Sequence, residues 1–380
     1  MTAFITPLLP FIRDSFSLDY TKAGILMSAF NIVYGFSQLP TGLLADRFGY
    51  RTMIAVGISG VALFGFLIGV STHYLMMAIF LVFMGLMGGG YHPSASPLIS
   101  SVVDEKVRGR ALGIHQIGGT ASFFIAPLIA VGIARKLGWR GSMITISLPI
   151  IVYGIALFAI LNRWGFGAAT RTRGQIGAGE QSGAQSDQNA GRVRNIAPVI
   201  ALNALVQIFV YTTVNFIPFF VVDHLGGTKE TAAVMLSLAH SAGIWSGPLG
   251  GLLSDRIGKV PILVFTGLIT GPLLLLLSRT APGFSLAVVL IFMGLAMYMS
   301  MPVTESYVIS HAPRGKRSTI LGFYYFASRG GPGLLAPAMG FMIDRYSFRV
   351  VFVLIGAVMS AASIALSAVL AQNEYRARRV

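Results

Sequence analysis

Long apolar stretches alternate with short polar segments along almost the whole chain. Since roughly 20 apolar residues cross the hydrocarbon core of a bilayer, each stretch predicts one membrane-spanning helix. The first stretch is too short for a full crossing, so we expect a truncated first helix. The twelve predicted spans are residues 1–12, 21–45, 52–71, 74–101, 110–134, 141–162, 196–222, 230–254, 260–278, 285–309, 318–343 and 349–370.

Charged side chains are absent from the interiors of spans three, six, nine and twelve, whereas polar groups fall in the other eight. A polar group exposed to lipid without a partner is costly, so polar helix faces turn toward a bundle interior or a wet cavity. We therefore expect spans three, six, nine and twelve at the periphery and the others around a central cavity.

A loop between spans two and three is repeated later in the chain. It reads Gly-Leu-Leu-Ala-Asp-Arg-Phe-Gly-Tyr-Arg at 42–51, and Gly-Leu-Leu-Ser-Asp-Arg-Ile-Gly-Lys at 251–259. The offset between Asp46 and Asp255 is 255 − 46 = 209, and Asp14 and Asp223 keep it. One repeat of such a long period indicates duplicated halves. We predict two pseudo-symmetric six-helix bundles at 1–162 and 195–380.

The segment between the halves, 163–194, has a different composition. Gly, Ala, Ser, Gln, Asn and Arg dominate it without hydrophobic periodicity. Such a composition is typical of a flexible, solvated connector, so we predict a linker here.

The pattern Gly-x-x-x-Asp-Arg-x-Gly-x-Arg between the second and third spans resembles the signature loop of the major facilitator superfamily. The resemblance covers nearly the whole chain and implies two six-helix halves that rock around a central substrate site. The segment Gly-Tyr-His-Pro at 90–93 is similar to the fourth span of fosmidomycin-resistance-like members. Two departures, Leu81 in place of an Arg and a degenerate segment at 126–130, weaken a match to the standard multidrug antiporters.

Composition and charge also indicate a membrane protein. The chain of 380 residues is 54% hydrophobic and 11% charged, against roughly 25% charged in soluble domains. Its net charge of +15 would suggest nucleic acid in a soluble protein, but 18 of its 28 Lys and Arg fall on the side of the signature loop and nine on the other. This bias predicts a cytoplasmic signature loop and two cytoplasmic termini in a multi-pass protein of the bacterial inner membrane, with no nucleic-acid partner.

Several classes of chemistry lack their residues. Cysteine is absent, which excludes disulfides and thiolate metal sites. No phosphate-binding Gly-Lys-Ser/Thr loop is present, so nucleotide hydrolysis is not expected to drive the protein. No nucleophile–base pair or metal cluster is visible. We predict a non-enzyme without catalytic residues, metal or cofactor, acting as a monomer in the lipid bilayer.

Two charged residues are placed within spans. Counting from Arg317 at 1.5 Å per residue places Arg329 roughly 18 Å into the membrane. A cation facing a cavity there suits a carboxylate, phosphate or phosphonate. Glu305 is the acid within a span, and a carboxylate that takes up and releases a proton would couple transport to a proton gradient. An ion pair between Glu305 and Arg329 is the alternative for both residues.

Three histidines also fall in predicted spans. His92 precedes Pro93, which frees a backbone carbonyl, so we predict a substrate or proton role for it. For His115 and His240 a hydrogen-bonded structural role is the preferred interpretation.

Further polar and aromatic side chains in the spans are candidate substrate ligands. Span seven carries Asn203, Gln207, Tyr211 and Asn215 at steps of four, which places them on one drifting helix face that either lines the cavity or holds neighbouring helices. Together with Arg329 and His92, the predicted substrate ligands are Asn31, Tyr91, Gln207, Tyr211, Asn215, Tyr298 and Tyr325.

The two signature loops are predicted to act in conformational change rather than substrate binding. A carboxylate in such a loop can meet a helix N-terminus and an Arg of a neighbouring span, which would latch one face shut. The alternative is that these charges only end the helices and set topology. The predicted latch residues are Asp46, Arg47, Arg51, Asp255 and Arg256.

The sequence thus predicts a secondary transporter of a small organic solute, anionic because of Arg329, driven by protons through Glu305 and His92. The alternative from another class is a non-transporting receptor or scaffold of the same fold. That alternative predicts loss of polar groups from the cavity faces, and here they are present. Multidrug-type efflux and metabolite uptake are not separated by the sequence.

Overall fold

A computed structural model describes residues 2–166, 196–313 and 317–377, and these residues are almost entirely helical. The first part of the chain forms α1 Thr2–Phe16, α2 Tyr20–Phe48, α3 Tyr50–Val70, α4 Tyr74–Gly88, α5 Tyr91–Val102 and α6 Glu105–Arg163. The second part forms α7 Ile196–Phe219, a short π-helix Phe220–His224, α8 Lys229–Ile257, α9 Lys259–Leu277, α10 Phe284–His311, α11 Arg317–Arg345 and α12 Phe348–Ala377. Residues 167–194 of the predicted linker lie outside the described part.

The 209-residue repeat is visible in the ends of the helices. Gly49 ends α2 with φ 85°, and Gly258 ends α8 with φ 94°. Only glycine adopts this left-handed region readily, which explains a glycine at the same place in both loops. At the opposite ends, Asp19 caps α2 by accepting from Lys22 N at 2.6 Å, and Thr228 caps α8 by accepting from Thr231 N at 3.1 Å.

We call the end of the bundle that carries Gly49 and Gly258 the signature end, and the end that carries Asp19 and Thr228 the far end. Within the described residues, seven helical segments are long and apolar enough to cross a membrane by length and composition. Helix α1, with 15 residues, is too short to be among them, and α2, α8 and α11 contain more polar side chains. The all-α architecture predicted from the sequence is confirmed.

Predicted span four differs in detail from the helices, because it is interrupted between α4 and α5, at Gly89 and Gly90. Pro93 has no N–H for the carbonyl of Gly89, and Thr41 Oγ1 donates to that carbonyl instead, at 3.0 Å. Predicted spans five and six are the two arms of α6, which meet at a kink where Gly138 takes the non-helical φ of 70°.

The periphery carries the helices that the sequence placed there. Helix α3 packs against α6, and α9 packs against α12, where Ser363 Oγ donates to Gly267 O at 2.9 Å. Large apolar side chains on the second arm of α6 and on α12 remain exposed, among them Val152, Ile155 and Val358. In a membrane protein such side chains face the acyl chains.

Helices α2 and α11 meet backbone to backbone along one seam between the halves. A Cβ added to Gly24 would lie 2.5 Å from Ala336 O, and one added to Gly35 would lie 2.7 Å from Gly330 N. Glycine at these positions therefore allows the close approach of the two helices. In the corresponding seam between α6 and α8, a Cβ added to Gly243 would lie 3.1 Å from Thr120 Cβ. Gly118 and Gly119 of α6 instead border open space, where an added Cβ would have no neighbour within 4 Å.

Candidate functional site

A cavity of about 500 Å³ lies between the two halves of the bundle. Helices from both parts of the chain line it. Of the predicted substrate ligands, those whose side chains face it are Asn31, Tyr91, Gln207, Tyr211, Tyr298 and Arg329.

Arg329 enters this cavity from α11. Its Nη2 lies 3.6 Å from the Met301 sulfur, and the hydroxyl-bearing rings of Tyr34, Tyr211, Tyr298 and Tyr324 lie near enough to interact with the guanidinium electrostatically. Within the described ranges, no carboxylate forms an ion pair with it. In the described part of the structure, the side chains that interact with this cation are thus neutral.

Glu305 lies one helical turn from Met301 on α10, toward the signature end. It interacts with Tyr325, which lies one turn from Arg329 on α11. The predicted ion pair between Glu305 and Arg329 is therefore not formed in this structure. Tyr325 was predicted to line the cavity, but it does not. Its ring lies against Tyr324, and its side chain interacts with Glu305.

The polar stripe of span seven is only partly in the cavity. Gln207 Nε2 donates to Met297 O at 2.8 Å, and Tyr211 lines the cavity beside it. Asn215, predicted as a substrate ligand, does not line the cavity: its Oδ1 accepts from Thr6 Oγ1 at 3.0 Å, where α1 and α7 meet. Asn203 is 1% exposed and has no hydrogen-bond partner.

The histidines take different positions. The side chain of His92 lies outside the described residues, so its predicted role stays a prediction. His115 lines the cavity, with its ring centroid 5.8 Å from that of Tyr91. His240 is buried beside the cavity, and its Nδ1 hydrogen-bonds the Tyr298 hydroxyl at 2.7 Å, which agrees with the structural role preferred for it.

Fourteen of the twenty described residues that line the cavity were not predicted as substrate ligands. Some of them are polar, such as Gln116 and Ser328, and their polarity in an apolar span was the available signal. Others, such as Phe30, Met297 and Met301, are aromatic or apolar, and within an apolar span nothing separates them from lipid-facing side chains.

Ionic contacts between the halves close the far end. Arg13 pairs with Asp223, and Lys229 Nζ lies 2.6 Å from Asp14 Oδ2. Burial would raise the pKa of the Asp14 carboxyl, but hydrogen bonds from Lys229 and Arg13 outweigh it and lower that pKa below its ordinary value. The Tyr20 hydroxyl also donates to Asp223, at 2.9 Å.

Two further far-end contacts are related by the repeat. Asp344 accepts from the backbone N–H groups of Tyr20 and Thr21, at 2.9 and 2.8 Å. Arg135 and Glu230 form an ion pair at 3.5 Å, and they occupy the positions equivalent to Asp344 and Thr21. At the far end, α2 thus contacts α11, and α6 contacts α8. The carboxylate lies on α11 in the first contact and on α8 in the second.

The ion pairs described above all lie at the far end, and the signature end differs in this respect. The side chain of Asp46 lies outside the described residues, so its latch contacts stay a prediction. The guanidinium of Arg47 lies 5.5 Å from the Phe48 ring centroid, and in the described part of the chain no ion pair involves Arg47, Arg51, Asp255 or Arg256. The latch predicted for the second loop, at Asp255 and Arg256, thus forms no ion pair among the described residues.

No group of three or more His, Asp or Glu side chains that could hold a metal ion occurs in the described segments. The described residues thus give the cavity one guanidinium, the imidazole of His115, several aromatic rings, two thioethers and a few amides and hydroxyls.

A family model described as Major Facilitator Superfamily matches residues 1–239 and 199–379, which together span nearly the whole chain. The chain belongs to the Major Facilitator Superfamily. It is an integral, multi-pass membrane protein and a secondary transporter, and its relatives are transporters rather than enzymes.

Two curated relatives of this superfamily member are named for different transport activities. It is 24% identical over 375 residues to a probable L-galactonate transporter of Escherichia coli K12, covering 93% of this chain and 82% of that one. It is 26% identical over 390 residues to the multidrug resistance protein MdtG of Citrobacter koseri, covering 99% and 92%. The predicted fosmidomycin-resistance-like branch is not distinguished by these matches.

Solved structures share its superfamily fold at low identity. A POT family transporter in complex with 5-aminolevulinic acid superposes with a TM-score of 0.81 at 12% identity, covering 96% of this chain and 91% of that one. A bacterial homologue of the human lysosomal transporter Spinster, in an inward-facing and unoccupied conformation, gives 0.70 at 17% identity, with 99% and 93% covered.

Proposed function

We propose that this protein carries a small organic anion across the bacterial inner membrane by proton-coupled alternating access. The observation that carries this proposal is the Arg329 guanidinium, which lies in the central cavity without a carboxylate partner. A guanidinium within a membrane span costs at least ~2.5–3.5 kcal/mol on insertion scales. A substrate anion would offset that cost by pairing with it, which gives the site its selectivity for charge.

Glu305 is the proposed proton site. In this structure it interacts with Tyr325, one turn toward the signature end from Arg329. When ionised, it would compete with the substrate anion for the guanidinium; when protonated, it would leave Arg329 to the substrate. Binding of the proton and binding of the anion would then favour each other, which is the requirement for coupled movement. His92 is the second candidate for this role.

The conformation supports a transport cycle. The far end is closed by the contacts of Arg13, Asp14, Asp223 and Lys229, whereas Asp255 and Arg256 of the second signature loop form no ion pair in the described part of the chain. We propose that the signature end and both termini face the cytoplasm, because Lys and Arg concentrate there. The halves 1–162 and 195–380 would then rock to break the far-end contacts and join the latch residues.

The test is transport by purified protein in liposomes with an imposed pH gradient. A panel of organic acids and of their neutral amides should show saturable, gradient-driven transport of acids only. Arg329→Ala should abolish it, whereas Arg279→Gln, which removes an exposed cation at the far end, should not. Equal transport of amides, or an active Arg329→Ala protein, would contradict the anion proposal.

A further inference from the structure

The cavity that holds Arg329 also has features that define the rest of the ligand. What we infer from them rests on the proposed function, because it assumes an anion at Arg329. It concerns a separate property, namely the chemistry of the uncharged part of the substrate.

Four amide and hydroxyl side chains of the cavity already donate hydrogen bonds to backbone carbonyls. Asn31 Nδ2 donates to Met27 O at 2.9 Å, and Gln207 Nε2 donates to Met297 O at 2.8 Å. The hydroxyls of Thr120 and Ser122 donate to backbone carbonyls of their own helix. A polyhydroxylated ligand would need such groups for each of its hydroxyls, and an unmatched buried hydroxyl costs about 1–3 kcal/mol.

Aromatic and thioether side chains form the remaining walls. The rings of Phe30 and Tyr34 stack one turn apart on α2, with centroids 5.4 Å apart and an interplanar angle of 17°. Met297 and Met301 face the same space from α10. Flat rings and soft, flexible sulfur-containing chains favour a planar apolar group.

Tyr298 is held rigidly at the wall of the cavity. Its hydroxyl is bonded to His240 Nδ1 at 2.7 Å, so the ring cannot turn freely. A Cβ added to Gly243 would lie 3.1 Å from both Cε1 and Cζ of this ring, which shows that the ring rests directly on the glycine backbone. The hydroxyl is thus engaged with a buried histidine, while the ring lines the cavity near Arg329.

We propose that the ligand is an amphipathic organic monoanion, with a compact acidic head on Arg329 and a flat apolar body against Tyr298, Phe30 and Tyr34, rather than a polyhydroxylated sugar acid. The Arg329 guanidinium selects ligands that carry a negative charge, and the Tyr298 ring selects ligands that have a flat apolar body. His240 and Gly243 are positioning residues, since they act through the Tyr298 ring.

The experiment measures binding to the full-length protein in nanodiscs by equilibrium dialysis. The probes are 2-naphthoate, its neutral analogue 2-naphthamide, the aliphatic anion hexanoate, and D-gluconate. We expect 2-naphthoate to bind at least about tenfold more tightly than D-gluconate, which corresponds to about 1.4 kcal/mol. Failure of 2-naphthoate to bind, or equal or tighter binding of D-gluconate, overturns the proposal.

Two variants of Tyr298 separate its ring from its hydroxyl. Tyr298→Phe keeps the ring and should retain the preference for 2-naphthoate over hexanoate, whereas Tyr298→Ala should reduce that preference at least fivefold with hexanoate binding maintained. An equal loss for both anions in Tyr298→Ala would mean a structural role only and overturns the assignment.

A failure of the anion site is recognised by a different result. If 2-naphthamide binds as tightly as 2-naphthoate, or if Arg329→Ala binds both anions normally, then the proposed function fails whatever the preference for the apolar body.

Discussion

Thr6 Oγ1 donates a hydrogen bond of 3.0 Å to Asn215 Oδ1, and these two residues are 209 positions apart. That separation equals the offset between the two signature loops, so each residue occupies the other's place in the duplicated halves. Residues at equivalent positions can touch only where the pseudo-twofold axis passes between them. Helices α1 and α7 therefore meet on the pseudo-twofold axis, between the cavity and the far end.

Removing the Thr6 hydroxyl should loosen the far end. Thr6→Val keeps the shape of the side chain but leaves Asn215 Oδ1 without a donor, at a cost of about 1–3 kcal/mol to the closed arrangement. The natural chain has no cysteine, so Thr120→Cys provides a single label site in the cavity. We expect faster reaction with an impermeant maleimide added from the far side, and unchanged labelling would show that the bond does not hold this end closed.

Low pH should open the far end. Burial raises the pKa of Asp14, but Lys229 and Arg13 lower it further, so in the closed state it lies below the ordinary 3.8. A carboxyl with a depressed pKa favours the closed state above its ordinary pKa and loses this contribution as pH falls through the depressed value. Maleimide reacts with the thiolate, so each labelling rate is divided by that of a free thiol at the same pH. This normalised far-side labelling of Thr120→Cys should rise as the pH is lowered toward 3.

Asp14→Asn should raise far-side labelling at neutral pH and flatten its pH dependence. Asp104→Asn, which changes an exposed carboxylate at the signature end, is the matched control and should behave like the parent protein. An Asp14→Asn protein with the parent's pH profile would exclude this carboxylate as the titrating group.

The glycine seam between α2 and α11 should not tolerate a methyl group. Gly35→Ala would place its Cβ 2.7 Å from Gly330 N, and overpacking of this kind costs about 1–3 kcal/mol. We expect a lower melting temperature in a fluorescence size-exclusion assay. Gly132→Ala, also within a helix but without a neighbour within 4 Å, should be neutral or slightly stabilising. Equal melting temperatures for the two variants would contradict the close seam.

Glu305→Gln should uncouple transport from the proton gradient. The amide cannot take up and release a proton, so uptake driven by a pH gradient should be lost while exchange of labelled for unlabelled substrate continues. Asp104→Asn, which changes an exposed carboxylate outside the far-end ion pairs, should retain gradient-driven uptake. If Glu305→Gln responds to pH like the parent, the proton site lies elsewhere, and His92→Gln is then the variant to measure.

The fold was largely predictable because its determinants are local and repeated. Gly49 and Gly258 must take positive φ where the helices end, and both appear in a loop that reads almost the same twice. Polar residues in apolar runs likewise pointed to the cavity in the cases of Arg329, Gln207 and Asn31.

The remainder depends on contacts between distant segments. Asn215 has the same polar signal as Gln207, yet it meets Thr6 across the axis instead of the cavity. Tyr34 and Phe30 lack any signal, since aromatic rings are also common on lipid-facing surfaces. The far-end pairs, such as Arg13 with Asp223, bring together residues 210 positions apart, and no local pattern predicts such a meeting.

Gly35 and Gly118 each lie thirteen residues from the signature end of their helices, or roughly 20 Å along the axis. At that depth Gly35 is covered by the backbone of α11, whereas Gly118 borders open space. We therefore expect a solute that leaves toward the signature end to pass beside α6, and a rigid molecule that fills this space to block transport without resembling the substrate.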